Sequence, residues 1–391
     1  MRWNFDEPSR REGTSCIKYD LRKETFGVAD VIPLWVADMD FNTPDFIINA
    51  LSARLKHEIF GYSFRPEEYY SSIIDWTRKR HSWNLEREWI CFSPGIVPAL
   101  NICTLAFTSE GDSIIVQPPV YFPFFSAVEL HGRKLIYNQL VESEGDWEMD
   151  FDNLQKCIAP NTKMIIISNP HNPVGRVWSP EELTELAEIC LKNDILILSD
   201  EIHCDLILPG YRHTPVARLS EQFAEKTITC IAPSKTFNLA GLSTSSVIIP
   251  NPGLRKLFSM TMEKLHIGSG NIFGTEASVA AYTFGEEWLN ELLLYLSGNA
   301  DFVTEYCRNL IPEIIPVQPE ATYLMWLDCR KFGMTGRELQ SFFIRKACVG
   351  MNEGSTFGPG GEGFMRMNLA CPRSTLVKAM EQIEDAVAGI R

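Results

Sequence analysis

The sequence contains no long, uncharged hydrophobic run. No segment of the 391 residues reaches the length of a transmembrane helix, and residues 1–8 have no apolar core of the kind that secretory signals carry. We therefore expect no membrane partner and a cytoplasmic location. Basic residues are scarce relative to acidic ones, since 36 Lys and Arg stand against 50 Asp and Glu, a formal net charge of −14. That charge opposes binding to nucleic acid and favours a small-molecule partner.

The sequence also has few signs of a metal site or of disulfides. The eleven cysteines include no Cys-x-x-Cys pair, and the seven histidines show no spacing typical of metal ligands. The adjacent His203 and Cys204 would point to opposite faces of a strand. Several cysteines lie within apolar runs, where a reduced cysteine packs as a small hydrophobic residue. We therefore expect no metal and no disulfide framework.

Apolar segments alternate with helical ones through the middle of the chain. The helix expected at residues 181–193 follows a capping box that starts at Ser179, with proline at its first position. Strands that are apolar throughout and separated by helices predict an α/β fold with a mostly parallel sheet, covered on both faces. We predict the strands of this sheet at residues 89–92, 113–117, 163–168, 195–199, 227–231 and 245–249.

Composition divides the chain into three parts. Residues 1–44 are irregular, and their aromatic residues favour an N-terminal arm that lies across a partner surface and forms part of a small domain. Residues 45–285 are predicted to form a large domain around the sheet. Residues 286–391 are predicted to form a smaller α+β domain, with helices at 286–310, 335–347 and 373–389 and strands at 323–327 and 364–368.

Lys235 lies in a turn directly after the strand predicted at 227–231. In parallel sheets ligands bind beyond the carboxyl ends of the strands, and Tyr121, Asn172 and Asp200 follow other strands in the same way. A lysine amine in a partly desolvated site loses proton affinity and can form an imine with an aldehyde, which is how pyridoxal phosphate attaches to proteins. A single loop lysine is usually solvated, so the polar residues expected around Lys235 are what favour a cofactor site.

Several motifs, in order along the whole chain, resemble the fold-type I pyridoxal-phosphate enzymes, which form the aspartate aminotransferase superfamily. Within it they are most similar to the branch of cysteine-S-conjugate β-lyases and cystathionine β-lyases. The motifs are WVADMDF at 35–41, FSPG at 92–95, NPHNPVGRVW at 169–178, SDEIH at 199–203, SKTFNLAG at 234–241 and RMNLACPR at 366–373. The resemblance implies that residues 45–285 are the pyridoxal-phosphate-binding domain.

The resemblance implies a role for several residues around Lys235. Lys235 would be the Schiff-base lysine and the base that takes the Cα proton of the substrate. Asp200 would face the pyridine nitrogen and keep it protonated, so that the ring can act as an electron sink. Asn172 would bind the 3′ oxygen of the ring, and Tyr121 would stack on the ring face. His203, which stands where classical aminotransferases carry a tyrosine, would also contact the cofactor.

The phosphate group of the cofactor would bind at the start of a helix. The turn at Gly95 leads from a strand into a helix, and such a turn can hold a phosphate with backbone N–H groups. The resemblance implies that the N–H groups of Ile96 and Val97 and the side chain of Ser234 are the donors. It also implies that Tyr62 reaches the phosphate from the other subunit of a homodimer with shared active sites.

The substrate of such an enzyme is an amino acid, and the resemblance implies where it binds. Arg366 would form a bidentate contact with the substrate carboxylate, beside Asn172, Val36 and Ala37. Classical aminotransferases carry an arginine for the phosphate eight residues after the lysine, and Ser243 stands there instead. This difference disfavours an aminotransferase.

The implied activity is that of a carbon–sulfur lyase: β-elimination of L-cystathionine or another L-cysteine S-conjugate to pyruvate, ammonia and a thiol. Two alternatives remain open, a class I/II aminotransferase of an amino acid and a pyridoxal-phosphate-containing regulatory protein that acts on a transcription factor. The sequence leaves open the preferred S-substituent, the ratio of elimination to transamination, and the physiological pathway.

One glycine-rich segment is excluded as a nucleotide site. Residues 358–363 satisfy G-x-G-x-x-G, but a dinucleotide-binding motif follows a strand and opens a helix, whereas this one precedes a predicted strand. We predict a turn that leads to Arg366.

Overall fold

A mixed, mostly parallel sheet forms the centre of the larger part of the chain. The structure is a computed structural model that describes residues 2–143 and 145–390. The strands, in chain order, are β1 (Ile32–Pro33), β2 (Ile90–Ser93), β3 (Ser113–Val116), β4 (Lys134–Tyr137), β5 (Val141–Ser143), β6 (Asp146–Glu148), β7 (Thr162–Ser168), β8 (Leu196–Asp200), β9 (Thr227–Ile231), β10 (Ser245–Ile248), β11 (Ile315–Val317), β12 (Leu324–Asp328), β13 (Val349–Gly350), β14 (Asn352–Glu353) and β15 (Phe364–Asn368). The central sheet has the order β2-β10-β9-β8-β7-β3-β4. The predicted strands therefore all form, within a few residues of their expected bounds.

The strand directions bring several loops to one edge of this sheet. Strands β4, β3, β7, β8 and β9 pair in parallel, whereas β10 is antiparallel to both of its neighbours, β2 and β9. Two reversals leave β2 running in the same direction as β9. Asp200 pairs with Ser168 on one side and with Cys230 on the other, so the ends of these strands are level. The loops after β2, β3, β7, β8 and β9 thus meet at the carboxyl edge, as predicted.

Helices cover both faces of the central sheet. The helices, in chain order, are α1 (Ile17–Asp20), α2 (Arg22–Phe26), α3 (Asp45–Leu55), α4 (Glu67–His81), α5 (Ile96–Phe107), α6 (Pro123–Glu129), α7 (Phe151–Cys157), α8 (Pro180–Lys192), α9 (Glu221–Ala224), α10 (Pro233–Thr236), α11 (Pro252–Leu265), α12 (Ile272–Phe284), α13 (Glu286–Leu310), α14 (Gly336–Arg345) and α15 (Arg373–Ala388). The predicted capping box is present at the start of α8, where the Ser179 hydroxyl accepts from the Glu182 N–H and the Glu182 carboxylate accepts from the Ser179 N–H. This confirms the local prediction of where the helix begins.

Strand β7 shows why the middle strands are apolar throughout. Met164 and Ile166 pack into the core on one face of the sheet, and Ile165 and Ile167 pack into the core on the other. Successive side chains of a strand point to opposite faces, and both faces here are covered. Burying each such side chain stabilises the fold by about 1.5–3 kcal/mol. Polar residues at every second position would therefore have destabilised β7.

A smaller antiparallel sheet lies in the C-terminal part of the chain, in the order β11-β12-β15-β14. Helices α14 and α15 pack on a separate core that contains residues of β12 and β15. Arg366 lies at the middle of β15, opposite Trp326 on one neighbouring strand and Asn352 on the other. The predicted α+β arrangement of this part is present.

The N-terminal segment differs from the irregular arm that we expected. It contains α1, α2 and β1, and β1 pairs in parallel with β13 of the C-terminal part. Phe5 is buried against Phe41 and Trp288 of the same chain. The expectation of an irregular segment is therefore wrong in part, because helices of four or five residues are too short to show a hydrophobic period.

Helix α13 connects the two parts of the fold. Its first half, including Leu289, packs in the core around α4 and α12, and its last turns, including Val303 and Cys307, pack in the core of the smaller sheet. The boundary predicted at residue 285 falls at the start of this shared helix. The division into 1–44, 45–285 and 286–391 stays a prediction.

The glycine-rich segment at 358–363 is a loop that leads into β15. A Cβ atom at Gly361 would come within 2.0 Å of the Gly354 carbonyl oxygen, so close approach of two backbone segments requires glycine there. This confirms the prediction of a turn. Among the helices formed by residues 2–143 and 145–390, none is long and apolar enough to cross a membrane.

Candidate active site

A cavity of about 200 Å³ opens at the carboxyl edge of the central sheet. The cavity is lined by residues from the loops that follow β2, β3, β7, β8 and β9, by the N-terminal segment and by the residues that precede β10. Its lining is Ala37, Pro94, Gly95, Ile96, Val97, Pro98, Tyr121, Ser168, Asn172, Asp200, Ile202, His203, Ser234, Lys235, Ala240, Ser243 and Thr244. Most of the predicted site residues therefore lie around one space.

Lys235 lies in the short helix α10, which begins directly after β9. Its amine donates a hydrogen bond of 2.6 Å to the carbonyl oxygen of Ala37. Burial, together with the positive charge of Arg366, lowers the pKa of Lys235 to about 8, against the opposing effect of the carboxylates of Asp38 and Asp200. A substantial fraction of this amine is therefore neutral near neutral pH, which is the form that reacts with carbonyl groups and accepts protons.

Asp200 is the last residue of β8 and faces the same cavity. The N–H of Ile202 donates to one of its carboxylate oxygens at 3.1 Å, and the other oxygen accepts no hydrogen bond within the described part of the chain. Burial raises the pKa of Asp200 to about 7, although this N–H and the charge of Lys235 act in the opposite direction. The carboxylate is thus held in place while one acceptor stays open toward the cavity.

His203 is buried beside Lys235, and its ring lies 6.1 Å from that of Tyr323 in an edge-to-face arrangement. Burial and the positive charges of Lys235 and Arg366 lower the pKa of His203 well below its ordinary value. The imidazole is therefore neutral and has one donor and one acceptor nitrogen. Its Nδ1 atom is buried without a hydrogen-bond partner in residues 2–143 and 145–390.

Arg366 is buried next to the cavity and hydrogen-bonds only to neutral groups of the described residues. It donates to the Asn172 side chain at 3.0 Å, the Asn352 side chain at 2.8 Å and the Trp35 carbonyl at 3.1 Å. Its guanidinium also lies 4.8 Å from the centre of the Phe357 ring. Burial lowers the pKa of Arg366 to about 10, so the side chain stays charged. A buried cation without an acidic partner is well suited to bind a carboxylate of a ligand.

The N-terminus of α5 also lines the cavity. No side chain of the described residues caps this helix, and Pro98 has no N–H, so the donors of its first turn are the N–H groups of Ile96 and Val97. The hydroxyl of Ser234 lines the cavity as well. A helix N-terminus with free N–H groups attracts an anion.

Comparisons with known proteins show the family of the chain. The model of the family "Aminotransferase class I and II" matches residues 29–383. The chain belongs to this family. It is 43% identical over 386 residues to cystathionine beta-lyase PatB of Bacillus subtilis (strain 168), a match that covers 98% of this chain and 100% of PatB. It is 30% identical over 393 residues to protein MalY of Escherichia coli (strain K12), covering 100% of both chains.

A solved structure shows the same fold. The crystal structure of cystalysin from Treponema denticola, which contains a pyridoxal 5′-phosphate cofactor, matches with a TM-score of 0.96 and 38% identity and covers 100% of both chains. The α/β arrangement of this chain is therefore the fold-type I architecture of the class I and II aminotransferase family, and the fold predicted from the sequence is confirmed.

Three of the predicted site residues lie outside the cavity. Tyr62 is fully exposed and does not line the cavity. Val36 contributes its backbone carbonyl to a hydrogen bond with the Asn368 side chain. Arg366 is linked to the cavity through Asn172.

Several residues that hold the site together were missed by sequence reasoning. Asn238 and Asn368 lie inside motifs that resemble the family, so a signal for them existed. Tyr323, whose hydroxyl donates to the Ala37 carbonyl at 2.9 Å, and Asn352 carry no local signal.

The expectation for His203 and Cys204 is wrong in one respect. Both residues lie in a turn after β8, and Cys204 approaches His81 and Asp205, with the three candidate ligand atoms within 4.8 Å of one another. Asp205, however, already accepts hydrogen bonds from the Trp76 indole, His81 and the Thr236 hydroxyl at 2.9–3.0 Å. The group is a buried hydrogen-bond network beneath α10, and it carries no argument for a metal.

Proposed function

We propose that this chain is a pyridoxal-phosphate-dependent carbon–sulfur β-lyase that acts on L-cystathionine or related L-cysteine S-conjugates. The observation that carries the proposal is that the Lys235 amine, whose pKa is lowered to about 8, lines a cavity together with Asp200 and with Asn172, which accepts a hydrogen bond from the buried Arg366. This arrangement can bind an α-amino acid by its carboxylate and remove its Cα proton. PatB, which bears the name cystathionine beta-lyase, supports the choice of substrate.

The residues around the cavity fit pyridoxal phosphate. The open carboxylate oxygen of Asp200 suits the protonated ring nitrogen, and the free N–H groups of Ile96 and Val97 suit the phosphate. Asn172 and His203 line the same cavity, and either would offer a hydrogen-bond partner to the oxygen substituent of the ring. When bound, the cofactor supplies an aldehyde carbon for amines and a ring that stores the electron pair left at Cα. We assign cofactor binding to the part of the chain at 45–285.

The protein residues divide the work between binding and proton transfer. Arg366 binds the substrate carboxylate and thereby orients the Cα–H bond. Tyr121 lines the cavity, where it would pack against the ring face and limit access of water. The neutral amine of Lys235 accepts the Cα proton, since a base with a pKa near the working pH is efficient.

The bond changes of the elimination are simple. The Cα proton passes to Lys235, the Cβ–S bond breaks, and its electron pair leaves with sulfur as a thiolate. A thiol with a pKa of about 8.5 is a tolerable leaving group, which explains why sulfur substrates suit the reaction. The released 2-aminoacrylate then hydrolyses to pyruvate and ammonia.

The test is to incubate the cofactor-loaded enzyme with L-cystathionine and no added 2-oxo acid, and to count the pyruvate formed per Lys235 site. Many turnovers support the lyase. Lys192→Ala, at an exposed lysine at the end of α8, is the matched control for Lys235→Ala. Absence of pyruvate in the wild type, combined with amino-group transfer once a 2-oxo acid is added, would replace the proposal by an aminotransferase.

We further propose a homodimer in which Tyr62 completes the partner's phosphate site. The support is an exposed apolar stretch, where Ile59, Phe60, Tyr62 and Phe64 expose 67%, 57%, 106% and 84% of their surface. Contiguous apolar surface of this kind is typical of an interface. Sedimentation should give a dimer, and Tyr62→Phe should weaken cofactor retention without dissociating the dimer.

We also propose a cytoplasmic location, which the free state of all eleven cysteines supports.

A further inference from the structure

A short segment of backbone contacts both ends of the candidate substrate site. We call residues 35–40 the strap. The Ala37 carbonyl accepts hydrogen bonds from the Lys235 amine at 2.6 Å and from the Tyr323 hydroxyl at 2.9 Å. The Trp35 carbonyl accepts from Arg366 at 3.1 Å. The strap therefore holds both the residue that takes the Cα proton and the residue that binds the carboxylate.

The strap forms neither helix nor strand, so side chains from elsewhere fix its backbone. The Asn238 side chain accepts from the Met39 N–H at 3.0 Å and donates to the Met39 carbonyl at 2.8 Å. The Asn368 side chain donates to the carbonyls of Val36 and Asp38 at 2.6 and 2.7 Å. These two asparagines hold the strap from β15 and from the segment after α10.

An ion cluster holds the strap as well. It consists of Arg11 and Lys18 from the N-terminal segment and of Asp38 and Asp40 from the strap itself. The Lys18 side chain is completely buried, with its amine 2.9 Å from Asp40 and 3.6 Å from Asp38. Arg11 contacts Asp38 at 2.5 Å and Asp40 at 2.7 Å, and the Tyr19 hydroxyl donates to Asp40 at 3.1 Å. Two positive and two negative charges thus balance inside the protein.

A buried ion cluster of this kind contributes little net free energy to the stability of a fold. Removing charges from water costs more than packing apolar side chains of the same size, so a buried ion cluster is better explained by the geometry that it enforces. Helix α1, which carries Lys18, has only four residues and cannot orient the strap by its own stability. The charges fix the distance between α1 and the strap instead.

We propose that the ion cluster of Arg11, Lys18, Asp38 and Asp40 is a positioning device for substrate binding. It holds the strap so that the carbonyls of Ala37 and Trp35 keep Lys235 and Arg366 at the spacing of an α-amino acid. This inference rests on the proposed function for its substrate class. The four residues are positioning residues, since they act through the strap.

The test uses variants that break the cluster from its N-terminal side. Lys18→Met removes the buried charge at nearly constant length, and Arg11→Gln removes the second cation at a partly exposed position, so that one variant remains if the other fails to fold. Glu12→Gln is the matched control, because Glu12 pairs with Arg22 on the same segment at 2.6 Å and makes no contact with the strap among the described residues.

Two measurements on the cofactor-loaded enzyme report on the strap and on the site. Hydrogen–deuterium exchange of a peptide covering residues 35–41 reports on the strap, whose N–H groups at Asp38, Met39 and Asp40 are all hydrogen-bonded. Calorimetric binding of L-alanine, an amino acid without a leaving group on Cβ, reports on the substrate site. KM and kcat for L-cystathionine are measured beside them.

We expect both cluster variants to exchange faster at 35–41 and to raise the Kd for L-alanine and the KM by about tenfold. The kcat should fall by less, about threefold, because Lys235 keeps its place in α10 and loses only its contact with the Ala37 carbonyl. Glu12→Gln should match the wild type. Unchanged exchange in both variants overturns the proposal, and so does faster exchange with an unchanged Kd, which would make the cluster merely structural.

These measurements distinguish a failure of the positioning role from a failure of the lyase proposal. If the wild type forms no pyruvate from L-cystathionine, the lyase proposal fails, yet L-alanine binding and exchange still test the cluster. If the lyase proposal holds and neither readout responds to Lys18→Met or Arg11→Gln, only the positioning role fails.

Discussion

Lys18 and Lys235 are both lysines inside the protein, but their surroundings differ. Lys18 is completely buried and forms an ion pair of 2.9 Å with Asp40. Lys235 opens to a cavity, hydrogen-bonds to a backbone carbonyl, and makes no ion pair with any carboxylate of residues 2–143 and 145–390. Burial accordingly lowers the pKa of Lys235 to about 8. A paired buried charge shapes the protein, whereas an unpaired one is free to react.

The same contrast separates Asp205 from Asp200. Asp205 accepts three hydrogen bonds from side chains, and although burial opposes it, the bonds from His81 and Trp76 and the charge of His81 lower the pKa of its carboxyl. Asp200 accepts one backbone hydrogen bond, and burial raises its pKa to about 7. Incomplete pairing thus distinguishes Asp200, a proposed cofactor-binding residue, from Asp205, and the following substitutions test that distinction.

The largest effect is expected for Lys235→Ala. In the proposed mechanism, removing the amine deletes both the attachment point of the cofactor and the base, so turnover should fall by about 10⁴-fold or more, or ~5.5 kcal/mol. Pyruvate release from L-cystathionine measures it, with circular dichroism to confirm that the fold remains. Full activity of the Lys235→Ala variant would exclude the proposed mechanism, in which Lys235 is the base.

The second effect is the pH dependence of stability caused by Asp200. In the cofactor-free protein its pKa is raised from 3.8 to about 7, so the folded chain holds this proton more tightly than the unfolded chain does. The stabilisation is complete below pH 3.8 and is lost as the pH rises to about 7, by at most roughly 4 kcal/mol. Asp200→Asn should flatten this part of the urea-unfolding profile. Parallel profiles for wild type and variant would contradict the unpaired state of Asp200.

The third effect concerns Asp205, whose pKa is lowered in the folded protein, whereas that of Asp200 is raised. Asp205→Asn removes the negative charge beside His81 and replaces one of the two accepting oxygens by an amide group. Trp76 and His81 contact one oxygen of Asp205 and Thr236 donates to the other, so the single Asn oxygen cannot accept from all three. We expect the free energy of unfolding to fall by about 3 kcal/mol at pH 7. An Asp205→Asn protein as stable as the wild type at that pH would show that pairing does not separate the two aspartates.

The smallest effect is expected for Arg366→Lys. Lysine keeps the charge but loses the planar fork that contacts Asn172 and Asn352 while a carboxylate binds, so kcat/KM should fall by about 30-fold, or ~2 kcal/mol. Arg330→Lys, at an exposed arginine of the same part of the fold, is the control. Equal activity of Arg366→Lys and wild type would exclude bidentate binding of the substrate carboxylate.

Local features were predictable because they depend on neighbouring residues. The capping box at Ser179 and the apolar run of β7 indicated a helix and a strand that the structure contains. The rule that ligands bind at the carboxyl ends of parallel strands placed Asp200 and Lys235 together. The two short helices of the N-terminal segment were missed, because four or five residues carry too little periodicity.

The sequence by itself determined the strands, the longer helices, and the kinds of side chain that gather at one edge of the sheet. Only the tertiary structure decided which charges are paired. Lys235 meets the Ala37 carbonyl across 198 residues of sequence, and Arg366 meets Asn172 across 194. Pairing over such separations depends on how the sheets and loops pack, and no local pattern of residues encodes it. That pairing is what separates the ion-paired buried charges of this protein from those to which we assign a role in catalysis.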